Sequence, residues 1–207
     1  MNDASRGAAS AMRVWAVVPA KSFARAKSRM QGALEPSARR ELARALLEGA
    51  LRACTGCSAL SGTLVTTDGD DVAQLAARHR VEVVRDATRK ARPARLSSIV
   101  DAALVAARAR GATHAVVLMG DLPLVRARDL AELVHALREH AVVVVPDAQR
   151  RGTGALGLRL DRPAKTCFGN PDSFMRHVAM ARAQGVVPCV HVQPRLARDL
   201  DAPGDHV

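Results

Sequence analysis

Aromatic side chains are nearly absent from this chain of 207 residues, which has one Trp, three Phe and no Tyr. Proteins that bind single-stranded nucleic acid stack bases on aromatic rings, so the scarcity argues against that class. No apolar run approaches the roughly 20 residues of a transmembrane helix, and the N-terminal MNDASRGAASA lacks the apolar core of a secretory signal. We therefore expect a cytoplasmic protein that does not insert into membranes.

Lysine is also scarce and occurs only at positions 21, 27, 90 and 165, although arginine brings the net charge to +11. Such a charge favours an anionic partner, which could be a phosphorylated metabolite, a nucleic acid or a membrane surface. The arginines are dispersed along the chain. Lys21 and Lys27 stand out because they lie close together in one segment.

Cysteine is limited to four residues, two of which form Cys54-Thr-Gly-Cys57. This spacing occurs in redox and zinc sites. Here it follows a predicted helix C-terminus, which does not favour a thiolate, and Cys167 and Cys189 form no second close pair. We expect buried or half-buried thiols without a metal.

Hydrophobic periodicity alternates between short β-rich runs and longer helical stretches. The pattern predicts one domain over residues 12–207, preceded by a flexible extension over residues 1–11. The strands are expected at 13–18, 63–67, 81–84, 114–119, 141–145, 155–160 and 187–192, and the helices at 37–53, 71–79, 97–110, 127–138 and 173–184. Ser37 is a candidate N-cap and Gly111 a candidate C-cap. This alternation predicts a Rossmann-like three-layer α/β domain with a mostly parallel sheet.

Charged residues follow several of these strands where each one ends. Lys21 and Lys27 follow the first strand, Asp68 the second and Asp121 the fourth. Ligands of parallel sheets bind beyond the carboxyl ends of the strands, so these side chains should converge on one rim. Asp121 interrupts the apolar run VVLMGDLPLV, where an unpaired buried carboxylate would be costly.

Neither a dinucleotide-binding glycine fingerprint nor a P-loop motif follows the first strand. Phosphates would therefore have to be neutralised by side chains. Lys21, Lys27 and Arg29 lie on one loop and suit that role. Asp68, on the same rim, is a further candidate for nucleotide binding.

Near the C-terminus, Asp199 and Asp201 are spaced so that an extended segment directs both to one face. Together with Asp121 they form an all-oxygen set suited to Mg²⁺. The alternative is a solvated tail, with Asp121 capping the turn before the next helix.

Six motifs in order resemble the 2-phospho-L-lactate guanylyltransferase family of deazaflavin coenzyme F(420) biosynthesis, which includes enzymes for phosphoenolpyruvate and 3-phospho-D-glycerate. They are Pro19-Ala-Lys21, Ala26-Lys27-Ser28-Arg29-Met30, Gly120-Asp121-Leu122-Pro123-Leu124, Gly152-Thr153, Phe168-Gly169 with Ser173-Phe174 and His177, and Asp199-x-Asp201-x-Pro203. The resemblance implies a nucleotidyltransferase fold, GTP and a phosphorylated three-carbon acid as substrates, and Mg²⁺ at Asp121, Asp199 and Asp201. It also implies that Lys21, Lys27 and Asp121 are catalytic.

By the same resemblance, Thr153, Gly169 and Ser173 would hold the acid through two hydroxyls and a backbone N–H. Each has a structural alternative: a strand-end hydroxyl, a turn glycine and a helix N-cap. His177 is interpreted as a packing histidine.

The chain departs from the family where Arg95-Leu96-Ser97-Ser98 replaces Gly-Leu-Asn and Gly154 replaces an asparagine. We hypothesise that the smaller residues admit 3-phospho-D-glycerate, whose hydroxyl could bond to Ser97 or Ser98. Three alternatives stay open: a nucleotidyltransferase for a sugar phosphate or molybdopterin, a basic nucleic-acid-binding module, and a non-catalytic homologue. A homodimer is also left open.

Overall fold

The computed structural model describes residues 11–86 and 95–200, which form a seven-stranded sheet covered by helices on both faces. The strands are β1 (Val14–Pro19), β2 (Gly62–Thr67), β3 (Glu82–Arg85), β4 (His114–Leu118), β5 (Val142–Pro146), β6 (Thr153–Arg159) and β7 (Cys189–Val190). The helices are α1 (Pro36–Thr55), α2 (Asp70–Arg78), α3 (Leu96–Ala109), α4 (Ala127–Ala136) and α5 (Ser173–Ala183).

The strand order is β3-β2-β1-β4-β6-β5-β7. All pairings are parallel except those of β6, which runs antiparallel to both β4 and β5. The predicted mostly parallel α/β domain is confirmed. From β1 the chain adds β2 and β3 on one side of the sheet, and it then returns to place β4 on the other side of β1. The strand order therefore reverses between β1 and β4. Open α/β sheets bind ligands at such a reversal.

Successive side chains of the central strands point to opposite faces of the sheet and so contribute to two separate apolar layers. Ala16 and Val18 of β1 point into the layer shared with α1, α2 and α4, whereas Val17 points into the layer under α3 and α5. All three are fully buried. This double coverage explains why the strands are continuous apolar runs.

The predicted N-cap Ser37 and the structural alternative of an N-cap at Ser173 are both wrong. The N-cap of α1 is Glu35, with Pro36 at the first helical position, so Ser37 lies inside the helix. Proline suits that position because its fixed φ is helical and its missing N–H would be unpaired there. Ser173 likewise lies inside α5, whose N-cap is Asp172. Gly111, with φ of 87°, does follow the end of α3 as expected.

The strand bounds also shift. β6 begins at Thr153, two residues before the predicted start, and β7 is limited to Cys189–Val190. Most of the predicted extension, residues 1–10, and Asp201 lie outside the described residues. Within residues 11–86 and 95–200, no helix combines the length and the apolar character needed to cross a bilayer.

Candidate functional site

A cleft of about 770 Å³ opens at the carboxyl ends of β1, β2 and β4. The structure brings the rim residues of the sequence analysis into its lining: Lys21, Lys27, Arg29, Asp68 and Asp121. The cleft is thus located at the strand reversal and lined by both cationic and anionic side chains. Its volume suits a ligand of nucleotide size.

The loop between β1 and α1 is held in place by Asp71, in the first turn of α2. The Asp71 carboxylate accepts the Phe23 backbone N–H at 2.8 Å and the Ser22 hydroxyl at 3.0 Å. Gly69 permits this approach, because a Cβ there would lie 2.7 Å from the Ser22 Cα. One carboxylate therefore anchors the loop that carries Lys21 and Lys27.

Lys27 donates from Nζ to Asp121 Oδ2 at 2.9 Å. The lysine side chain is 4% exposed and the aspartate side chain 26%. Lys27 has φ of 55° in the left-handed region, an uncommon conformation for a residue with a Cβ. Asp121 Oδ1 is buried and receives no hydrogen bond from residues 11–86 and 95–200. This oxygen is available to a cation or a donor that is not part of the described chain.

Asp68 forms an ion pair with Arg25 at the same rim. Burial opposes ionisation of Asp68, but the Arg25 hydrogen bond and charge outweigh it, so the pKa of this carboxyl lies below its usual value. Asp68 lines the cleft, as its proposed role in nucleotide binding requires, but it also holds an arginine there.

The C-terminal segment returns to this edge of the sheet. The Leu200 backbone N–H donates to the Asp121 carbonyl at 3.3 Å. The exposed Asp199 directly precedes Leu200, so it lies next to the residue that contacts Asp121. Over the part of the chain that the structure describes, no group of three or more His, Cys, Asp or Glu side chains forms a ready metal cluster. Asp201, the third predicted ligand, lies outside that part.

Thr153, Ser173 and His177 form a buried hydrogen-bond network. Ser173 Oγ donates to Thr153 Oγ1 at 3.3 Å, and His177 Nδ1 lies 3.0 Å from the same oxygen. His177 Nε2 accepts the Cys167 N–H at 2.8 Å, so a neutral imidazole must carry its proton on Nδ1 and donate to Thr153. Burial lowers the pKa of His177 to about 4, which keeps it neutral at pH 7.

This network fixes the Thr153 oxygen as the acceptor of the His177 Nδ1–H. The Thr153 proton can then be donated to Ser173 Oγ or to a third group, because two hydroxyls can exchange donor and acceptor roles. Thr153 and Ser173 do meet, as a shared acid site would require, but both are buried and neither is part of the 770 Å³ cleft lining.

Gly169 lies against the start of α3. Its φ is 83°, and a Cβ there would lie 3.2 Å from the Leu96 Cβ. Leu96 lines the cleft and is followed by half-buried Ser97 and exposed Ser98. Thr166 secures the same loop by donating to Asp101 Oδ1 at 2.8 Å. The loop of Thr166 and Gly169 thus contacts the first turns of α3, where Ser97 and Ser98 lie.

Comparison with known proteins is decisive. Residues 13–206 match the family model described as guanylyl transferase CofC like. The chain belongs to this family. A phosphoenolpyruvate guanylyltransferase from Chloroflexus aggregans is 39% identical, covering 89% of this chain and 90% of the relative. A 3-phospho-D-glycerate guanylyltransferase from Phenylobacterium zucineum is 35% identical, covering 88% and 83%.

Among solved structures, a nucleotidyl transferase from Methanothermobacter has the same fold, with a TM-score of 0.62 and 20% identity over 93% of this chain and 94% of the other. The resemblance found in the sequence is therefore confirmed at the level of family, fold and enzyme class: the chain is a guanylyltransferase.

Sequence reasoning missed three residues that fix segments leading to the site of this guanylyltransferase: Asp71, Asp129 and Arg195. Each acts through contacts to residues far away in sequence, such as the bond from Arg195 to Asp129, 66 residues apart. Asp71 and Asp129 had one local signal, which is their position in the first turn of a helix, where acidic residues are favoured. Arg195 had no comparable signal in the sequence. Cys54 and Cys57 are buried, as expected, and burial raises the pKa of the Cys54 thiol to about 12.

Proposed function

We propose that this guanylyltransferase couples GTP to a phosphorylated three-carbon acid, favouring 3-phospho-D-glycerate over 2-phospho-L-lactate and phosphoenolpyruvate, in coenzyme F(420) biosynthesis. An oxygen of the acid's phosphate attacks the α-phosphorus of GTP. The bond to the β-phosphate breaks, and pyrophosphate leaves with the electron pair. The observation that carries the proposal is the Lys27–Asp121 pair in a cleft at the strand reversal of a chain belonging to the guanylyl transferase family.

Lys21, Lys27 and Arg29 would bind the phosphates of GTP and neutralise their charge. The Lys27 ammonium is nearly buried, so its charge is weakly screened by water and acts strongly on a phosphate close by. Transfer of the guanylyl group depends mainly on such positioning and electrostatic stabilisation, because the protein forms no covalent intermediate.

Asp121, with Asp199 and Asp201, would hold Mg²⁺. The buried Oδ1 of Asp121, which no donor of the described residues satisfies, fits a cation, and carboxylate oxygens are the ligands that Mg²⁺ prefers. When bound, the ion would neutralise negative charge on the phosphates. Lys27 would meanwhile hold the other oxygen of Asp121 and so keep the carboxylate oriented.

The acid would be held by Thr153, Gly169 and Ser173, with Ser97 or Ser98 bonding to the hydroxyl of 3-phospho-D-glycerate. The support from this chain is that the neutral His177 imidazole donates to the Thr153 oxygen, so the Thr153 hydroxyl can donate its own proton to an anionic oxygen. Gly169 packs against Leu96, the residue that precedes Ser97.

The test compares pyrophosphate release with each of the three acids, GTP and Mg²⁺. We expect the highest kcat/KM for 3-phospho-D-glycerate; preference for either smaller acid would reject the substrate assignment. Ser97→Ala and Ser98→Ala test whether the serine hydroxyls bind the hydroxyl of 3-phospho-D-glycerate. Phosphoenolpyruvate has no hydroxyl and serves as the reference substrate. At least one variant should lose activity with 3-phospho-D-glycerate and keep it with phosphoenolpyruvate.

Base choice is tested in the same assay by replacing GTP with CTP or ATP. Strong turnover with a sugar phosphate in place of the three acids would favour a different nucleotidyltransferase reaction. Salt-sensitive binding of duplex DNA, without Mg²⁺-dependent pyrophosphate release, would favour a nucleic-acid-binding protein.

A further inference from the structure

Residues 193–200, named here the C-terminal strap, cross the start of β6 and reach Asp121. Leu196, in the middle of the strap, is fully buried in the apolar layer shared with α4. The Ala197 carbonyl accepts the Ala148 N–H at 2.8 Å, and the Leu200 N–H donates to the Asp121 carbonyl at 3.3 Å. The strap therefore connects the layer beneath α4 to the metal-binding aspartate of the proposed function.

One ion pair fixes the strap to α4. Arg195 Nε donates to both carboxylate oxygens of Asp129 at 2.9 Å, and Arg195 Nη2 also donates to Oδ1. The Asp129 side chain is completely buried. Its Oδ2 also accepts the Arg126 N–H at 2.9 Å, which caps the start of α4. One buried carboxylate thus joins a helix start to the strap.

Two further contacts set the position of the strap. Gln193 is buried and donates to Glu132 Oε2 at 2.8 Å, one turn along α4 from Asp129. On the opposite side, the Leu196 carbonyl lies 1.9 Å from the position that a Cβ of Gly154 would occupy. The Leu196 backbone therefore packs directly on Gly154, and any side chain there would displace it. The missing side chain at position 154 thus leaves no room for a larger acid, contrary to the hypothesis from the sequence.

We propose that Asp129 and Arg195 are positioning residues of the metal site, whose buried ion pair holds the C-terminal strap where Asp199 can share a divalent cation with Asp121. Neither residue touches the cation or substrate. Their contribution is to restrict the conformations of the strap before the cation binds. This inference rests on the proposed function, because it needs Asp121 and Asp199 to be ligands of the cation.

The test uses the full-length protein with Arg195→Met, which retains much of the side-chain volume and removes the fork of donors. Mn²⁺ titrated calorimetrically without substrates should bind about tenfold or more weakly, as expected when a group supporting metal ligands is lost. Hydrogen exchange at the Leu200 amide should accelerate, because its bond to Asp121 depends on the strap. Arg195→Lys, which retains the charge, should recover part of both effects.

Arg198→Met is the matched control, since it removes the same charge from an exposed position of the same strap. It should leave the Leu200 exchange rate unchanged and should not weaken Mn²⁺ binding, because loss of a positive charge reduces repulsion of the cation. Gly154→Ala reaches the strap from the other side with the ion pair chemically intact. It should reproduce the Arg195→Met effects, so the test stands even where loss of the ion pair prevents folding.

The two proposals fail in different ways. A wild-type protein that binds no Mn²⁺ and releases no pyrophosphate would overturn the proposed function. If the wild type does both, but the strap variants exchange faster at Leu200 with unchanged Mn²⁺ affinity, the positioning role is wrong. Unchanged exchange in folded Arg195→Met and Gly154→Ala would also overturn it.

Discussion

Lys27 Nζ and Asp121 Oδ2 lie 2.9 Å apart, although 94 residues separate them in the chain. The pair joins the loop after β1 to the turn after β4, across the point where the strand order reverses. It accounts for a carboxylate inside an apolar run: Lys27 compensates one oxygen, and the second remains available to a ligand.

Asp121→Asn should keep the fold and lower kcat by about two to three orders of magnitude, because it removes charge but little volume. Pyrophosphate release and thermal unfolding measure the two effects. Asp161→Asn is the control, since Asp161 pairs with Arg159 on the surface away from the cleft. Near-normal activity of Asp121→Asn would show that Asp121 has no essential role in catalysis.

Lys27→Met should lower kcat/KM for GTP by about 10²-fold, through loss of a weakly screened charge. Lys165→Met, at an exposed lysine outside the cleft, is the matched control. The double variant with Asp121→Asn should be far less impaired than the product of the single effects, because both act on one pair. Independent, multiplicative losses would mean that the pair does not function as a unit.

Asp71→Asn should weaken the anchoring of the lysine loop and raise KM for GTP more than it lowers kcat. An amide retains one acceptor oxygen but loses the charge that strengthens the bonds from Phe23 and Ser22. Asp70→Asn provides a neighbouring control, because the Asp70 side chain is 86% exposed and pairs with Arg85. Equal changes in both variants would contradict an anchoring role for Asp71.

His177 should make the fold acid-sensitive between pH 6.5 and about 4. In this window the unfolded chain protonates the imidazole and the folded chain does not, so stability falls as the pH falls, by roughly 3 kcal/mol in total. Urea unfolding at several pH values should show this loss in the wild type and a smaller loss in His177→Asn. His135→Asn, at an exposed histidine, should retain the wild-type slope.

The same variant tests the orientation of Thr153. Asparagine can place its amide donor where His177 Nδ1 lies, whereas leucine cannot. His177→Asn should therefore have a lower KM for the acid than His177→Leu, with similar KM for GTP. If the two variants behave alike toward the acid, the imidazole serves packing alone.

Much of the fold could be predicted because hydrophobic periodicity is local. The spacing of Ala16, Val17 and Val18 in β1 predicted a strand covered on both faces, and the residues after β1, β2 and β4 followed from the rule that parallel strands end at one rim. Cap positions were less predictable. Ser37 and Ser173 suit an N-cap chemically, but Pro36 and Asp172 show that the chain path decides where each helix begins.

The sequence by itself determined the α/β class, the family and the set of side chains at the rim, since these depend on residue type and on spacing within short segments. Only the tertiary structure decided that β6 runs antiparallel, that Lys27 meets Asp121, and that Arg195 fastens the strap to Asp129. The physical reason is that a charged side chain carries no local signal of its partner. Its contacts are set by packing of elements that are distant in the chain, and they exist only once both apolar layers have closed around the sheet.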